Sequence, residues 1–113
     1  MTIFGQKDMA WIILVLAGLF EVAFTTSLKL SDNFKNTGWS IAFFISITLS
    51  FFLLNKAIQT IPIGTGYAVW TGIGAAGTAI IGMIFFKEST DFWRIFFIFL
   101  LISSIIGLKL VSK

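Results

Sequence analysis

Residues 9–28, MAWIILVLAGLFEVAFTTSL, form an apolar run in which Glu21 is the only charged residue. A helix rises about 1.5 Å per residue, so a run of this length crosses a hydrocarbon core of about 30 Å. An ionised carboxylate inside such a core costs from about 2.5 to more than about 10 kcal/mol, so intramembrane acids are rare and usually face a cavity or the bundle interior. The run therefore predicts a membrane helix in which Glu21 is a candidate functional residue.

The composition extends this prediction to the whole chain. Of the 113 residues, 58% are hydrophobic and 12% are charged, whereas ordinary soluble domains have about 25% charged residues. Four apolar runs are separated by short polar connections, and we place them at 9–28, 38–58, 63–86 and 92–111. The expected fold is an all-α membrane protein of the cell (inner or plasma) membrane. A single domain of four transmembrane helices accounts for residues 1–113.

Several classes of function are disfavoured by the residues that are missing. The chain has no Cys and no His, which removes the usual soft and imidazole metal ligands. We therefore expect neither a metal site nor a cofactor. The basic residues form no run of the kind that binds nucleic acid, and no nucleophile and base are paired as an enzyme would require.

The distribution of basic residues bears on orientation in the membrane. The positive-inside rule acts through an excess of Lys and Arg on the cytoplasmic side. If the helices alternate, each side carries four: Lys7, Lys56, Lys109 and Lys113 on one, and Lys29, Lys35, Lys87 and Arg94 on the other. Two interpretations stay open. Either the chain inserts both ways and two copies pair in opposite orientations around a common chamber, or a small bias lies in residues that these boundaries misplace.

The surroundings of Glu21 can be predicted from helical spacing. Gly18, Glu21 and Thr25 stand at i, i+3 and i+7 and share a face. Glu21 is either a structural carboxylate bonded to hydroxyls in the bundle or a proton and cation site. The second is favoured because no Lys or Arg lies in the middle of a run to neutralise it. Ser50, halfway along the second run, bonds either Glu21 or its own backbone.

The third run carries aromatic and small residues at helical spacing. Tyr67 and Trp70 at i and i+3 suit a cation through their ring faces, although the spacing by itself favours packing or interfacial anchoring. Gly72 and Gly74 offer a place for the helix to bend. A stripe of small residues on this run allows close helix approach in lipid: Gly66, Gly74, Thr78 and Gly82.

The fourth run has no charge in its middle and few small or polar residues. Its small side chains are Ser103, Ser104 and Gly107. Small residues on one face and large apolar residues elsewhere are typical of helix contacts in lipid. We therefore assign this run to assembly, with these three residues at a dimer contact.

Three motifs resemble the small multidrug resistance transporters, and the resemblance covers nearly the full chain. They are Phe20–Val22 in the first run, Pro62–Gly74 in the third, and Gly107–Lys109 near the end. The resemblance implies a four-helix protein that works as an antiparallel dimer and exchanges protons for cations. The implied ligands are protons and a small organic cation, and the implied surroundings are membrane lipid.

The resemblance also implies roles for individual residues. It makes Glu21 the site that binds both protons and substrate. It places Ser50, Tyr67 and Trp70 in the lining of the pocket. It makes the glycine pair, Gly72 and Gly74, the hinge of the third helix, and it makes the fourth helix the dimer contact.

The nearest branch of the family differs in part from this chain. Trp70–Ala75, Phe86–Glu88 and Gly107–Lys109 look like the guanidinium-exporting branch. That branch usually has Trp where this chain has Phe24, so an indole N–H that would hold the carboxylate is missing. Thr25–Thr26 instead resemble the branch that exports quaternary ammonium and other hydrophobic cations. We therefore expect Phe24 and Thr25 to line the pocket and to influence substrate range.

These residues are compatible with more than one function and more than one assembly. The leading expectation is proton-coupled export of guanidinium or a substituted guanidinium, and the alternative is a broader exporter of quaternary ammonium and hydrophobic cations. Arg94–Ile98, with the serines of the fourth run, is similar to members that form heterodimers. An antiparallel homodimer and a heterodimer with a paralogue therefore both remain open. A different class is a non-transporting assembly or regulatory subunit in which Glu21 makes only helix contacts.

Overall fold

Each of the four apolar runs forms a helix in the computed structural model, which describes residues 5–112. The helices are α1 (Gln6–Leu30), α2 (Thr37–Ala57), α3 (Ile63–Phe85) and α4 (Phe92–Val111). All four are long and apolar enough to cross a membrane, and residues 5–112 contain no strand. Helices satisfy their own backbone hydrogen bonds, which is what lipid requires of a spanning segment. The prediction of an all-α membrane protein with four transmembrane helices is confirmed.

α4 has the bounds of its predicted run, α2 and α3 differ from theirs by no more than one residue at either end, and α1 extends beyond its run. α1 begins at Gln6 and ends at Leu30, beyond the run 9–28 at both ends, with Asp8 in its first turn and Lys29 in its last. These charges suit the helix dipole. Asp91 caps the N-terminus of α4, where its Oδ1 accepts a hydrogen bond from the backbone N–H of Arg94 at 2.9 Å. Lys113, which entered the charge count, and residues 1–4 of the predicted domain lie outside the described residues.

The helices are arranged around α1 and α3. α1 packs against both α2 and α3, while α4 packs within the described chain against α3 alone. Buried side chains of α1, among them Trp11 and Leu14, form the core with Val69 and Trp70 of α3. α4 has no buried residue of its own. One side of α3 therefore faces α1, and the outer face of α4 is left uncovered.

Small residues let α1 and α3 approach closely. A Cβ added at Gly18 would lie 2.7 Å from the Cβ of Ile73, which is too close for two carbon atoms. A Cβ at Gly77 would likewise overlap Val22. In lipid, where apolar burial gives helices no net attraction, such close contact supplies the packing energy. The backbones of α1 and α3 therefore lie close together at Gly18 and Gly77, on either side of Glu21.

Candidate functional site

The side chain of Glu21 lies between α1 and α3. It is half-buried, and its carboxylate lies against Gly74, where an added Cβ would overlap it. Its Oε1 atom is buried and has no hydrogen-bond partner among residues 5–112. Buried polar atoms in folded proteins are nearly always paired. An unpaired carboxylate oxygen is therefore a position for a proton or a ligand.

A cavity of about 550 Å³ extends from Glu21 along the α1–α3 interface. It reaches the end of the bundle at which α1 and α3 both terminate, where Lys29 and Glu88 line it. We call this end, defined by Lys29 and Glu88, the mouth of the cavity. Lys29 is eight residues from Glu21, which is about 12 Å along a helix. No basic side chain of the described chain forms a salt bridge with Glu21.

Four threonines line the cavity beside Glu21: Thr25, Thr26, Thr71 and Thr78. Thr25 Oγ1 donates to the backbone carbonyl oxygen of Glu21 at 3.0 Å and lies 2.7 Å from Thr78 Oγ1, so Thr78 is the donor between the two hydroxyls. Thr26 Oγ1 is buried and has no partner within residues 5–112. The cavity wall thus offers hydroxyl groups to a polar ligand.

The face predicted for α1 is the face that meets α3. Gly18, Glu21 and Thr25 contact Ile73, Gly74 and Thr78 in that order. Thr25 lines the cavity, as expected for a pocket residue. Thr78 did not emerge from the sequence as a site residue. Thr78 is four residues from Gly74, so both lie on one helix face. This spacing is the feature of the sequence that could have indicated a place for Thr78 beside Glu21.

Ser50 and Trp70 are joined in a buried chain of hydrogen bonds. The indole Nε1 of Trp70 donates to Ser50 Oγ at 2.9 Å, and Ser50 Oγ donates to the carbonyl oxygen of Ala17 at 2.7 Å. Ser50 therefore bonds neither Glu21 nor its own helix, the two options inferred from its position. Both side chains lie outside the lining of the cavity, and their contact with a ligand stays a prediction.

The other two predicted aromatic residues also lie outside that lining. Tyr67 is 57% exposed, and its ring centroid is 5.7 Å from that of Trp70, as their spacing indicates. Phe24 packs against Phe43 and Phe51 of α2, with ring centroids 6.1 and 6.5 Å apart. A role in substrate binding for Tyr67 or Phe24 stays a prediction.

The glycine pair serves two different contacts. Gly74 makes room for the Glu21 carboxylate, whereas a Cβ at Gly72 would lie 2.8 Å from the side chain of Ile105 on α4. α3 is one continuous helix through both residues. Bending of α3 at this pair stays a prediction.

The residues assigned to assembly lie on the surface of α4. Ser103 and Ser104 are exposed, and a Cβ at Gly107 would meet no atom within 4 Å. Ser103 Oγ donates to the carbonyl oxygen of Phe99 on its own helix. Their part in a dimer contact stays a prediction.

Replacing Ser50 with Ala tests the buried chain of hydrogen bonds. It leaves the indole N–H of Trp70 without its acceptor, and a buried unpaired donor costs about 1–3 kcal/mol. We expect the free energy of unfolding in detergent micelles to fall by about that amount. Thr48→Ala, on the same helix as Ser50, is the control, because its hydroxyl is exposed and bonds only its own helix; we expect a change within about 0.5 kcal/mol. Equal effects of the two substitutions would contradict the bridging role of Ser50.

The comparisons with known proteins agree with this architecture. The family described as Small Multidrug Resistance protein matches residues 9–101. A guanidinium exporter from Yersinia pseudotuberculosis is 50% identical over 104 residues, which are 92% of this chain and 100% of that protein. A probable guanidinium efflux system subunit, GdnD, from Bacillus licheniformis is 45% identical over the same shares of both chains. The matches run through every helix, confirm the resemblance seen in the motifs, and show that the chain belongs to the small multidrug resistance family.

Proposed function

We propose that this chain is a proton-coupled antiporter that exports guanidinium or a substituted guanidinium. The chain is a multi-pass protein of the cell (inner) membrane, from a family of small transporters. Relatives named as guanidinium exporters, at 43–50% identity, support a small cation as the exported substrate. The observation that carries the proposal is the buried Oε1 of Glu21, which has no protein partner in residues 5–112 and faces a hydroxyl-lined cavity.

The chemistry of Glu21 supports exchange of two ligands at one site. A carboxylate is neutralised either by a proton or by a cation, and a planar guanidinium offers it paired N–H donors. If the site opens to one side of the membrane at a time, proton entry is tied to cation exit. A pH gradient of one unit supplies about 1.36 kcal/mol per proton. A potential of 100 mV supplies about 2.3 kcal/mol per net charge moved.

An antiparallel dimer is part of this proposal. The balanced basic residues permit insertion in both orientations, and the outer face of α4 is apolar and uncovered, with Phe99 at 69% and Ile106 at 55% exposure. Two copies of Glu21 sharing a chamber would titrate as a coupled pair. A heterodimer is the second candidate, because the relative from Bacillus licheniformis is named as a subunit of an efflux system.

Substrate range is the finer part of the proposal. Phe24 has no polar hydrogen to donate, and it packs against α2 instead of holding the carboxylate. Glu21 is therefore less constrained than it would be beside an indole donor. The cavity of about 550 Å³ far exceeds a cation of four heavy atoms. We infer that alkylated or aromatic guanidinium ions, and some quaternary ammonium ions, are accepted as well.

The test is electrophysiology on proteoliposomes that contain this chain alone. We expect currents with guanidinium and with alkylated guanidinium ions, and currents that increase when protons are supplied on the opposite side. Urea is the matched control, since it has nearly the shape of guanidinium without its charge, and it should give no current. Selectivity for guanidinium alone would contradict the looser pocket.

The same measurement separates the rival assemblies. Current from the chain alone supports a homodimer. Current that requires coexpression with a paralogue would identify a heterodimer and overturn the homodimer proposal. One-for-one exchange of a proton and a guanidinium ion moves no net charge, so guanidinium uptake driven by a pH gradient is measured beside the current. Absence of both in both preparations would favour a non-transporting membrane subunit and would overturn the proposed function.

A further inference from the structure

A second carboxylate lines the same cavity at its mouth. Glu88 follows α3, and its side chain lies back over that helix, where a Cβ at Gly82 would overlap the carboxylate. The backbone N–H groups of Phe86 and Glu88 both donate to the carbonyl oxygen of Gly82, at 3.0 and 3.1 Å. Lys87 between them has a φ of 56°, the left-handed turn that commonly ends a helix. This turn directs Glu88 toward the cavity.

The Glu88 carboxylate already holds a guanidinium group. Arg94 Nη2 lies 2.6 Å from Glu88 Oε1, and this is the one salt bridge within residues 5–112. The contact is single, because Arg94 Nε is buried and donates to no acceptor in the described chain. The side chains are 33% and 47% exposed. Ion pairs as exposed as this one contribute little to stability, so Arg94 is a displaceable occupant.

The charges at the mouth give Glu88 a further role. Lys29 lines the mouth and is exposed, and Arg94 on α4 pairs with Glu88, so two basic side chains near the mouth would repel a cation approaching Glu21. Glu88 is the acidic side chain in the lining at this end. Of the acidic groups that line the cavity, a cation that enters from this side therefore meets Glu88 before Glu21.

We propose that Glu88 is an outer binding site for the substrate cation, occupied by the guanidinium of Arg94 until an incoming guanidinium ion displaces it. The inference rests on the proposed function, because it takes guanidinium as the ligand class. Displacement needs no new chemistry, since one guanidinium replaces another on the same carboxylate. Arg94 then moves away from Glu88, and the incoming guanidinium ion lies at the mouth of the cavity that extends to Glu21.

The direct test uses the single arginine of the sequence. Protein labelled with ¹⁵N-arginine in detergent micelles gives one side-chain Nε–H signal, from Arg94. We expect guanidinium chloride to shift this signal saturably in the natural protein and in Glu21→Gln. Glu88→Gln should abolish the saturable shift, and Asp32→Asn should preserve it. Asp32 is an exposed acid at the same end of the bundle and outside the cavity lining. Absence of a saturable shift in the natural protein, or its persistence in Glu88→Gln, would overturn the outer site.

Transport measurements supply the second test. Glu88→Gln removes one charge-assisted contact, so the half-saturating guanidinium concentration should rise about tenfold with little change in maximal rate. Asp32→Asn should leave both unchanged. The charge exchange of Glu88→Arg with Arg94→Glu retains an ion pair but moves the carboxylate onto α4. We expect this double variant to need as high a half-saturating guanidinium concentration as Glu88→Gln. Recovery of the natural value would show that the ion pair is only structural and would overturn the proposal.

The two experiments separate the two proposals. A protein that gives no guanidinium current and still shows the saturable Arg94 shift would contradict export and retain the outer site. A protein that carries current but shows no shift would retain export and overturn the outer site.

Discussion

Glu21→Gln is expected to abolish proton-coupled guanidinium currents in proteoliposomes. The amide has nearly the shape of the carboxyl group, so packing against Gly74 is preserved. It binds no proton in the relevant pH range and carries no charge, so both ligands lose their site. Glu21 is the acid within the apolar part of a predicted spanning run, and the other acid in the lining, Glu88, lies at the mouth of the cavity and does not replace it within the membrane.

Two controls sharpen this prediction. Glu21→Asp retains the charge and the proton site on a shorter side chain, so we expect coupled transport with weaker guanidinium affinity. Asp32→Asn makes the same carboxylate-to-amide change at an exposed position and should transport normally. Proton-driven guanidinium uptake that persists in Glu21→Gln would rule out the assignment of Glu21.

Gly74→Ala is expected to have the second largest effect. The added methyl group would overlap the Glu21 carboxylate, so either the carboxylate or α3 must move. Overpacking of this kind costs about 1–3 kcal/mol of folding free energy. Displacing a binding group by about 1 Å reduces rates by up to about 100-fold. We expect both lower stability in detergent micelles and a guanidinium current reduced by at least about tenfold.

The matched control for this substitution lies on the same helix. A Cβ at Gly64 would meet no atom within 4 Å, so Gly64→Ala should leave transport unchanged and should not destabilise the helix. Gly74→Ala combined with Glu21→Asp distinguishes two roles of Gly74. The shorter carboxylate relieves the overlap, so the double variant should carry more current than Gly74→Ala alone. A loss that Glu21→Asp does not relieve would indicate instead that Gly74 acts as a hinge.

Much of the architecture can be predicted from the sequence, because a segment in lipid has no water to satisfy its backbone hydrogen bonds. An apolar run of about 20 residues must satisfy its backbone internally, and a helix is the simplest segment that does so. The four spans and the position of Glu21 within the first follow directly. Helical periodicity also places Gly18, Glu21 and Thr25 on one face, and that face meets α3 in the structure.

Helical periodicity alone does not predict where the helices end or which atoms the hydroxyl groups bond. α1 continues past its apolar run to Gln6 and Leu30, because charged residues at helix ends reach the interface without breaking the helix. Ser50 was a hydroxyl with two possible partners, and the structure pairs it with a third, the carbonyl oxygen of Ala17. That partner lies on another helix, 33 residues away, beyond the reach of local spacing.

The sequence by itself determined the spanning helices, the intramembrane acid and the face on which it lies. Tertiary structure alone decided that Glu21 faces Gly74, that Thr78 joins Thr25 in the cavity wall, and that Glu88 turns back to the cavity mouth beside Arg94. Periodicity relates residues within one helix, but it does not set how far α3 slides or rotates against α1. That register is set by which small residues accept which large side chains, a property of two surfaces in contact.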